Sequence, residues 1–247
     1  MKYEQGTDLV GGFTTRDCTV DFFLRIRSLI NKNSHVVDLG AGRAAWFEDD
    51  NCSTRVKIRD LAIDVKTLTA IDEDPAVLTN RASHKQLVSI EGRTNLESES
   101  VDLIYSDFVL EHISDCEGFV TEINRILKPG GWFCARTPHK FSYIAIFSFI
   151  ISNKLHAKVL SMVQPTRKEI DIFPTNYKFN TLKDVSKKFN GWQNKSFIYK
   201  TDPGYFFGKK WVYNILSLFH YMLPKFLCGN VLIFVRKPKA GYFDPNN

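Results

Sequence analysis

The chain has 247 residues, a formal net charge of +6 and a hydrophobic fraction of 44%, which suits one α/β domain with an elaboration better than two independent domains. Its five cysteines are widely separated, odd in number and without a C-x-x-C pair, so they indicate neither a disulfide framework nor a zinc site. Residues 1–8 lack the basic-then-apolar profile of a signal peptide, and we therefore expect a cytoplasmic protein.

The first predicted elements surround a turn that contains two glycines. Residues 18–29 place apolar side chains at helical spacing, with Asp17 as the helix cap. An apolar pair then runs into Asp38-Leu39-Gly40-Ala41-Gly42, which is typical of a buried parallel strand that ends in a tight turn. Such a turn brings the backbone close to a nucleotide-like ligand, although Gly-x-Gly alone is shared by dinucleotide and S-adenosylmethionine sites.

Downstream, apolar or β-branched runs alternate with helical stretches. Strands are predicted at residues 67–72, 86–91, 101–107 and 131–137, and helices at residues 75–81 and 118–127. Strands that alternate with helices in this way predict a doubly wound, mostly parallel sheet.

The pattern changes after Pro138. Residues 141–151 are almost continuously apolar, but they are too few to span a membrane, which takes about 20 residues. Residues 164–181 are charged and irregular. Residues 211–223, which two lysines precede, are predicted to form an apolar helix, and residues 230–235 are predicted to form a final strand.

Charge and aromatic residues are divided unevenly along the chain. Residues 1–139 hold 16 Lys/Arg and 22 Asp/Glu, whereas residues 140–247 hold 17 Lys/Arg, 5 Asp/Glu and 22 of the 33 aromatic residues. A basic and aromatic C-terminal part indicates an anionic or amphiphilic partner. The alternative is a solvated basic face over an ordinary aromatic core.

Two carboxylates are candidates for a ligand site. Asp38 can stabilise the glycine turn or reach the amino group of a cofactor. Asp72 follows a strand at the position where an acid accepts the hydroxyls of an adenosine ribose. Asp60 fits the usual spacing of about 20 residues better, but it interrupts a basic stretch with no clear strand. We therefore favour Asp72 and predict that residues 48–59 form a surface insertion.

Four segments in a fixed order carry a specific family resemblance: VDLGAG at 37–42, IDEDP at 71–75, VDLIYSDFVLEH at 101–112 and ILKPGG at 126–131. The order resembles that of class I S-adenosylmethionine-dependent methyltransferases, in the branch of ubiquinone-biosynthesis-like and glycan-cluster enzymes. It spans residues 36–138, roughly two fifths of the chain. The resemblance implies a seven-stranded Rossmann-like sheet with a C-terminal helical and aromatic cap insertion.

The resemblance also implies a set of residues for the cofactor S-adenosyl-L-methionine, and no metal ligands. The set comprises Asp38, Gly40, Ala41 and Gly42 for the methionine half, Asp72 for the ribose, Glu73, Glu91 and Gly92 around the adenine, and Ser106, Asp107 and Phe108 near the sulfonium. The chain departs from the family at Ala44, where the third small residue of the glycine motif is not glycine. A methyltransferase tolerates this better than an enzyme packed closely on a pyrophosphate, so Ala44 favours S-adenosylmethionine over NAD.

A hydroxyl acceptor needs a group that takes its proton. His112 is the preferred candidate because it follows the predicted cofactor strand and because histidine ordinarily titrates near neutral pH. The alternative for His112 is a turn residue that caps the following segment. His139, just after the fifth predicted strand, is a weaker candidate for the same role.

The acceptor is expected to bind in the irregular segment near residues 167–177. Its charged and aromatic side chains suit a polar substrate such as a sugar, and the segment resembles those of glycan-cluster methyltransferases. The candidate substrate residues are Arg167, Lys168, Asp171 and Tyr177. A surface loop held by local ion pairs is an equal alternative.

We expect a single domain over residues 1–247, with the cofactor core at 36–138, the acceptor cap at 139–229 and the last strand at 230–237. The expected activity is transfer of a methyl group to an oxygen of a small-molecule or glycan-type acceptor. Two alternatives remain open. One is RNA methylation; the other is action on a lipid-linked substrate, with residues 141–163 and 211–226 in peripheral contact with the inner face of a membrane.

Overall fold

The computed structural model describes residues 3–143, 145–146, 175–204 and 206–239. Within them the chain forms one eight-stranded sheet in the order β3-β2-β1-β4-β5-β8-β6, with β7 also paired to β8. The strands are β1 (His35–Leu39), β2 (Thr67–Asp72), β3 (Lys85–Val88), β4 (Val101–Asp107), β5 (Leu127–Pro138), β6 (Gln193–Asn194), β7 (Phe197–Lys200) and β8 (Gly229–Arg236).

Strands β1 to β5 are parallel to their neighbours, and β8 is antiparallel to β5. Strands β6 and β7 are two halves of one edge, because both pair with β8 in a single unshifted register, Asn194 opposite Val235 and Phe197 opposite Leu232. Between them the Phe234 amide bonds the Ser196 hydroxyl at 3.1 Å instead of a backbone carbonyl. This interruption explains why eight strands are counted where seven are predicted, and the doubly wound, mostly parallel architecture is confirmed.

Helices cover both faces of the sheet. They are α1 (Cys18–Arg27), α2 (Trp46–Asp49), α3 (Ser53–Arg59), α4 (Cys116–Ile126), α5 (Leu182–Lys188) and α6 (Lys210–Met222), with 3-10 turns at Val10–Gly12, Ala62–Asp64, Pro75–Thr79 and Lys225–Leu227. The predicted cap of α1 is confirmed, since the Asp17 carboxylate accepts the amides of Thr19 and Val20. The helix predicted at 75–81 is a 3-10 turn, and α2, α3, α5, β6 and β7 were not predicted.

Two apolar clusters, one on each face, hold the layers together. On one face the buried Phe22, Phe23 and Ile26 of α1 pack on β1 and β4. On the other face Ile123 and Ile126 of α4 pack on β4 and β5. This three-layer packing fixes the sheet between the helices. Among the described residues, every helix is too short or too polar to cross a membrane.

The strand order indicates which edge of the sheet can bind a ligand. The order β2-β1-β4 means that the chain crosses from one side of β1 to the other, and a crevice forms at the carboxyl ends of strands at such a point. The segments after β1, β2, β3 and β4 therefore lie along the same edge, and these segments carry the predicted cofactor residues.

Candidate functional site

The glycine turn after β1 is built on the end of β2. The amides of Gly40 and Ala41 both donate to the Ile71 carbonyl, at 2.8 and 3.1 Å. Gly40 has a φ of 78°, and a Cβ there would overlap the side chain of Val109. The turn therefore requires glycine at position 40, both for its backbone conformation and for space.

Asp72 joins the end of β2 to the same turn. Its carboxylate accepts the Gly42 amide at 2.8 Å and the Asp74 amide at 3.0 Å. The Asn80 side chain donates to the Gly42 carbonyl at 3.0 Å, so both sides of that residue are held. The two predicted elements thus meet, and the Asp72 carboxylate, which has further lone pairs, lies beside the turn.

Asp60, the alternative acid, follows α3 and not a strand. Its amide donates to the Val56 carbonyl at 3.0 Å, and its own carbonyl accepts the Arg27 side chain at 2.9 Å. This position follows a helix instead of a strand, and the geometry favours Asp72, whose carboxylate bonds the glycine turn.

The next residues bring the ends of β2 and β3 together. The Gly92 amide donates to the Glu73 carboxylate at 2.9 Å. Glu91 is exposed, with a φ of 51°. The three residues predicted to surround the adenine are thus neighbours at the rim of the edge.

Below the turn lies a pocket with polar walls. It is lined by Phe23, Asp38, Gly40, Ala41, Trp46, Arg59, Tyr105 and Asp107. Asp38 and Tyr105 are register partners on β1 and β4, and the Tyr105 hydroxyl bonds the Asp38 carboxylate. Burial raises the pKa of Asp38 to about 7, more than the Tyr105 hydrogen bond lowers it. Burial likewise raises the pKa of Tyr105.

Asp107 is the centre of a buried ion network. Arg136 of β5 donates to its two carboxylate oxygens at 2.7 and 2.8 Å, and Arg59 approaches one of them at 3.2 Å. Burial alone would raise the pKa of Asp107, but the charge and hydrogen bonds of Arg136 hold it below its ordinary value. Asp107 is therefore ionised and already paired, and neither arginine was singled out from the sequence.

Arg59 corrects the prediction that residues 48–59 form only a surface insertion. This last residue of α3 points into the pocket, with its side chain only 16% exposed. Its guanidinium lies 4.6 Å from the Trp46 ring centroid and 5.2 Å from that of Phe23. These two aromatic rings cover the Arg59 guanidinium. From its position in a basic stretch of the sequence, the same side chain would be expected to lie in solvent.

Ser106 and Phe108 lie on either side of Asp107 in the chain, and their side chains make different contacts. The Ser106 hydroxyl donates to the Leu39 carbonyl at 2.8 Å, which ties β4 to the end of β1. The Phe108 ring is 41% exposed and lies 4.6 Å from the Arg136 guanidinium. Both residues are at the carboxyl end of β4, where the sequence placed them, and their contact with a cofactor stays a prediction.

Three residues that are not glycine adopt left-handed backbone at this edge. Ala44, Glu91 and Phe108 have φ values of 55°, 51° and 58°, and they follow β1, β3 and β4 respectively. Such conformations cost about 1 kcal/mol or more and concentrate at functional sites. The third small position of the glycine motif therefore has a conformation that favours glycine, although the chain has alanine there.

His112 lies in the turn after β4. Its amide donates to the Val109 carbonyl at 2.9 Å, and its carbonyl accepts the Asn176 side chain at 2.8 Å. The backbone of His112 thus holds the turn, while the residue is only partly buried at the rim. Its catalytic role stays a prediction.

His139 is a buried residue beyond β5. Its Nδ1 accepts the Phe141 amide at 3.2 Å, and its ring lies 6.1 Å from that of Phe226. Burial lowers the pKa of His139, so its imidazole is neutral near pH 7. The surroundings are those of a packed side chain, and they make His139 the weaker of the two candidates.

Of the four predicted substrate residues, Arg167, Lys168 and Asp171 lie outside the described residues. Tyr177 is buried, and its amide donates to the Glu111 carbonyl at 3.1 Å. The Glu111 carboxylate accepts the Thr137 hydroxyl at 2.9 Å, and Asn180 donates to that hydroxyl at 2.6 Å. This network at the end of β5 was not predicted, and it places Tyr177 beside the carboxyl edge.

Two comparisons of the sequence with known proteins give matches to methyltransferases. Residues 51–135 match the model of the methyltransferase domain family. A Mycolicibacterium smegmatis protein, named as an S-adenosylmethionine-dependent methyltransferase, is 32% identical over 89 residues. Those residues are 34% of this chain and 35% of that protein, so the match spans about a third of the curated relative.

Solved structures show the same fold over nearly the whole chain. A chain in the complex of the Haloferax volcanii Trm112 methyltransferase activator with a methyltransferase gives a TM-score of 0.55 at 15% identity, over 93% of this chain and 100% of that one. An S-adenosylmethionine-dependent methyltransferase from Methanosarcina mazei gives 0.53 at 12% identity, over 87% and 97%. Geranyl diphosphate C-methyltransferase from Streptomyces coelicolor gives 0.52 at 12% identity, over 88% and 74%.

The sheet order, the glycine turn tied to Asp72 and the methyltransferase-domain match over residues 51–135 together support a class I S-adenosylmethionine-dependent methyltransferase. Its branch within that class stays a prediction.

Proposed function

We propose that this protein transfers the methyl group of S-adenosyl-L-methionine to an oxygen of a small-molecule or glycan-type acceptor. The observation that carries the donor half of this proposal is the hydrogen bond of the Gly42 amide to Asp72, because it assembles a ligand crevice from two strand ends. The Streptomyces coelicolor structure, which shares the fold, contains S-adenosyl-L-homocysteine.

The residues of the carboxyl edge fit this cofactor. Gly40 leaves no room for a side chain between the turn and Val109, and the pocket below it presents a buried carboxylate and a buried cation. In the proposed arrangement Asp38 and residues 40–42 hold the methionine half, Asp72 holds the ribose, and Glu73, Glu91 and Gly92 flank the adenine. The cofactor supplies a methyl group on a sulfonium, which is already a strong electrophile.

The protein then mainly has to orient the acceptor for an in-line approach. Phe108 has a left-handed backbone directly after β4, and the Arg136–Asp107 pair holds that strand end in place. Ser106, Asp107 and Phe108 are the residues proposed to lie near the reacting methyl group. Because Asp107 is occupied by two arginines, we assign it an orienting role and not proton removal.

His112 is the proposed general base for a hydroxyl acceptor. It lies at the rim of the site, whereas His139 is packed between aromatic rings and receives the Phe141 amide on one ring nitrogen. A partly exposed imidazole beside the acceptor can take a proton and pass it to solvent. The acceptor itself is proposed to contact Arg167, Lys168, Asp171 and Tyr177, of which Tyr177 lies beside the carboxyl edge.

A second candidate is action on a lipid-linked acceptor at a membrane surface, and helix α6 favours it. Trp211, Ile215, Leu218 and Met222 form an apolar stripe at helical spacing, and the exposed fractions of Trp211, Leu218 and Met222 are 63%, 63% and 75%. Lys209 and Lys210 lie at the helix start. An exposed apolar face beside basic residues suits a helix that lies in the plane of an anionic bilayer.

A methyl-transfer screen tests the acceptor. Purified protein is incubated with methyl-labelled S-adenosylmethionine and separate extracts of glycans, lipids and RNA, with His112→Ala and His139→Ala in parallel. The primary proposal predicts label in the glycan or small-molecule fraction, with a loss of rate in His112→Ala greater than in His139→Ala. Label confined to lipid favours the second candidate, and label confined to RNA contradicts both.

A further inference from the structure

Arg59 has a buried hydrogen-bond donor that the fold does not use. Its Nη2 lies 3.2 Å from an Asp107 oxygen, but its Nε is buried and has no hydrogen-bond partner among the described residues. A buried donor without a partner is costly in free energy, and in a native protein it calls for an explanation. The same side chain lines the pocket below the glycine turn.

The positive charge of Arg59 is also in excess. Arg136 already neutralises Asp107 through two hydrogen bonds of 2.7 and 2.8 Å, and the side chain of Arg136 is only 4% exposed. One buried carboxylate therefore has two arginines around it, and Arg59 is the more distant of them. The aromatic rings of Trp46 and Phe23 hold its guanidinium in place.

The opposite charge in the pocket belongs to Asp38. Asp38 and Arg59 line the same pocket and attract each other electrostatically, while Tyr105 occupies only one of the carboxylate's hydrogen-bond positions. Apart from Asp107, which Arg136 already neutralises, the pocket thus presents one acid and one cation, both partly buried. A zwitterion matches this pair, whereas a phosphate would be repelled by Asp38, and a neutral group would satisfy neither charge.

We propose that Arg59 binds the carboxylate of an α-amino-acid head group in this pocket, opposite the ammonium group at Asp38. The inference rests on the proposed function, in which that head group is the methionine end of the cofactor. Arg59 donates through its free Nε and a neighbouring nitrogen, a geometry suited to the two oxygens of a carboxylate. Helix α3, between β1 and β2, therefore supplies part of the ligand site.

Calorimetric titration with two ligands tests this assignment. S-adenosylhomocysteine has the amino-acid head group, and 5′-methylthioadenosine has the same nucleoside and sulfur without it. Each is titrated into the full-length protein, Arg59→Met and Arg59→Lys. Arg55→Met is the matched control, because Arg55 is an ion-paired arginine of the same helix that bonds Asp50 and Asp17 outside the pocket.

We expect Arg59→Met to weaken S-adenosylhomocysteine binding at least tenfold and to change methylthioadenosine binding less than twofold. Arg59→Lys is expected to lose less, and Arg55→Met is expected to leave both affinities unchanged. Equal losses for both ligands, no loss for S-adenosylhomocysteine, or the same selective loss in Arg55→Met would overturn the role of Arg59. A wild-type protein that binds only methylthioadenosine overturns the head-group site alone, while one that binds neither ligand overturns the proposed function as well.

Discussion

Gly42 and Asp72 are 30 residues apart in the chain, and the amide of one donates to the carboxylate of the other at 2.8 Å. The bond fixes the turn after β1 against the end of β2 before any ligand arrives. Helix α3 lies within the intervening segment, so that segment both lengthens the usual spacing and delivers Arg59 to the pocket. The ligand crevice is consequently preorganised on rigid strand ends.

Substitution in the glycine turn is expected to separate a steric effect from a backbone effect. Gly40→Ala introduces a methyl group that overlaps Val109 at a φ of 78°, and we expect a loss of about 2–4 kcal/mol in the free energy of unfolding. Gly42→Ala is the matched control, because its φ is also positive but a Cβ there meets nothing within 4 Å. We expect a loss of about 1 kcal/mol for it. Equal losses in urea unfolding would contradict the steric account.

Asp38 is expected to make the stability of the ligand-free protein decrease with pH. Its pKa is about 7 in the folded protein against an ordinary value of 3.8, so the folded state holds this proton more tightly than the unfolded chain does. Stability from this group is complete below pH 4 and is lost as the pH rises through 7. Asp38→Asn should therefore gain on the order of 2 kcal/mol relative to wild type between pH 5 and pH 8. Asp49→Asn, an exposed acid, serves as the control in denaturant titrations, and a pH-independent difference between wild type and Asp38→Asn would refute the prediction.

The same carboxyl group predicts the pH dependence of ligand binding. Asp38 faces Tyr105, Asp107, Arg59 and Asp72, and an incoming ammonium group favours its ionised form. Below pH 7 ionisation must precede binding, so the affinity for S-adenosylhomocysteine should fall about tenfold per pH unit. Titrations at pH 5.5, 6.5 and 7.5 in wild type and Asp38→Asn measure this slope. A flat profile in wild type, or an equal slope in Asp38→Asn, would show that Asp38 does not contact the amino group.

The lipid-linked alternative predicts binding through the exposed stripe of α6. Leu218→Glu places a charge on a side chain that is 63% exposed, and it should abolish flotation with vesicles rich in anionic lipid. Asn190→Glu is the matched control, since it adds the same charge at an exposed position outside α6. If wild type does not float, or if both variants lose flotation equally, α6 does not dock the protein on a bilayer.

The sequence was most informative where local chemistry decides the structure. The limits of β2 and β4 were predicted to the residue, because each is an apolar run that ends in an acid at the sheet edge. The pairing of Asp72 with the glycine turn followed from the rule that carboxyl ends of parallel strands meet.

The residues that were missed are fixed by distant partners. Arg59 lies in a basic stretch, and only the tertiary positions of Trp46, Phe23 and Asp107 bury it. The edge formed by β6 and β7 is short and partly polar, so its pairing with β8 decides its conformation more than its own residues do. The roles of Arg167, Lys168 and Asp171 stay predictions from the sequence.

The central claim is that the carboxyl edge of this sheet binds the methyl donor, and calorimetric titration with S-adenosylhomocysteine at pH 8 tests it most directly. The account predicts saturable one-to-one binding to wild type and to Asp49→Ala, with at least a tenfold loss in Asp72→Ala and a smaller loss in Asp72→Asn. Absence of binding to wild type at millimolar ligand, or unchanged affinity in Asp72→Ala, would contradict it.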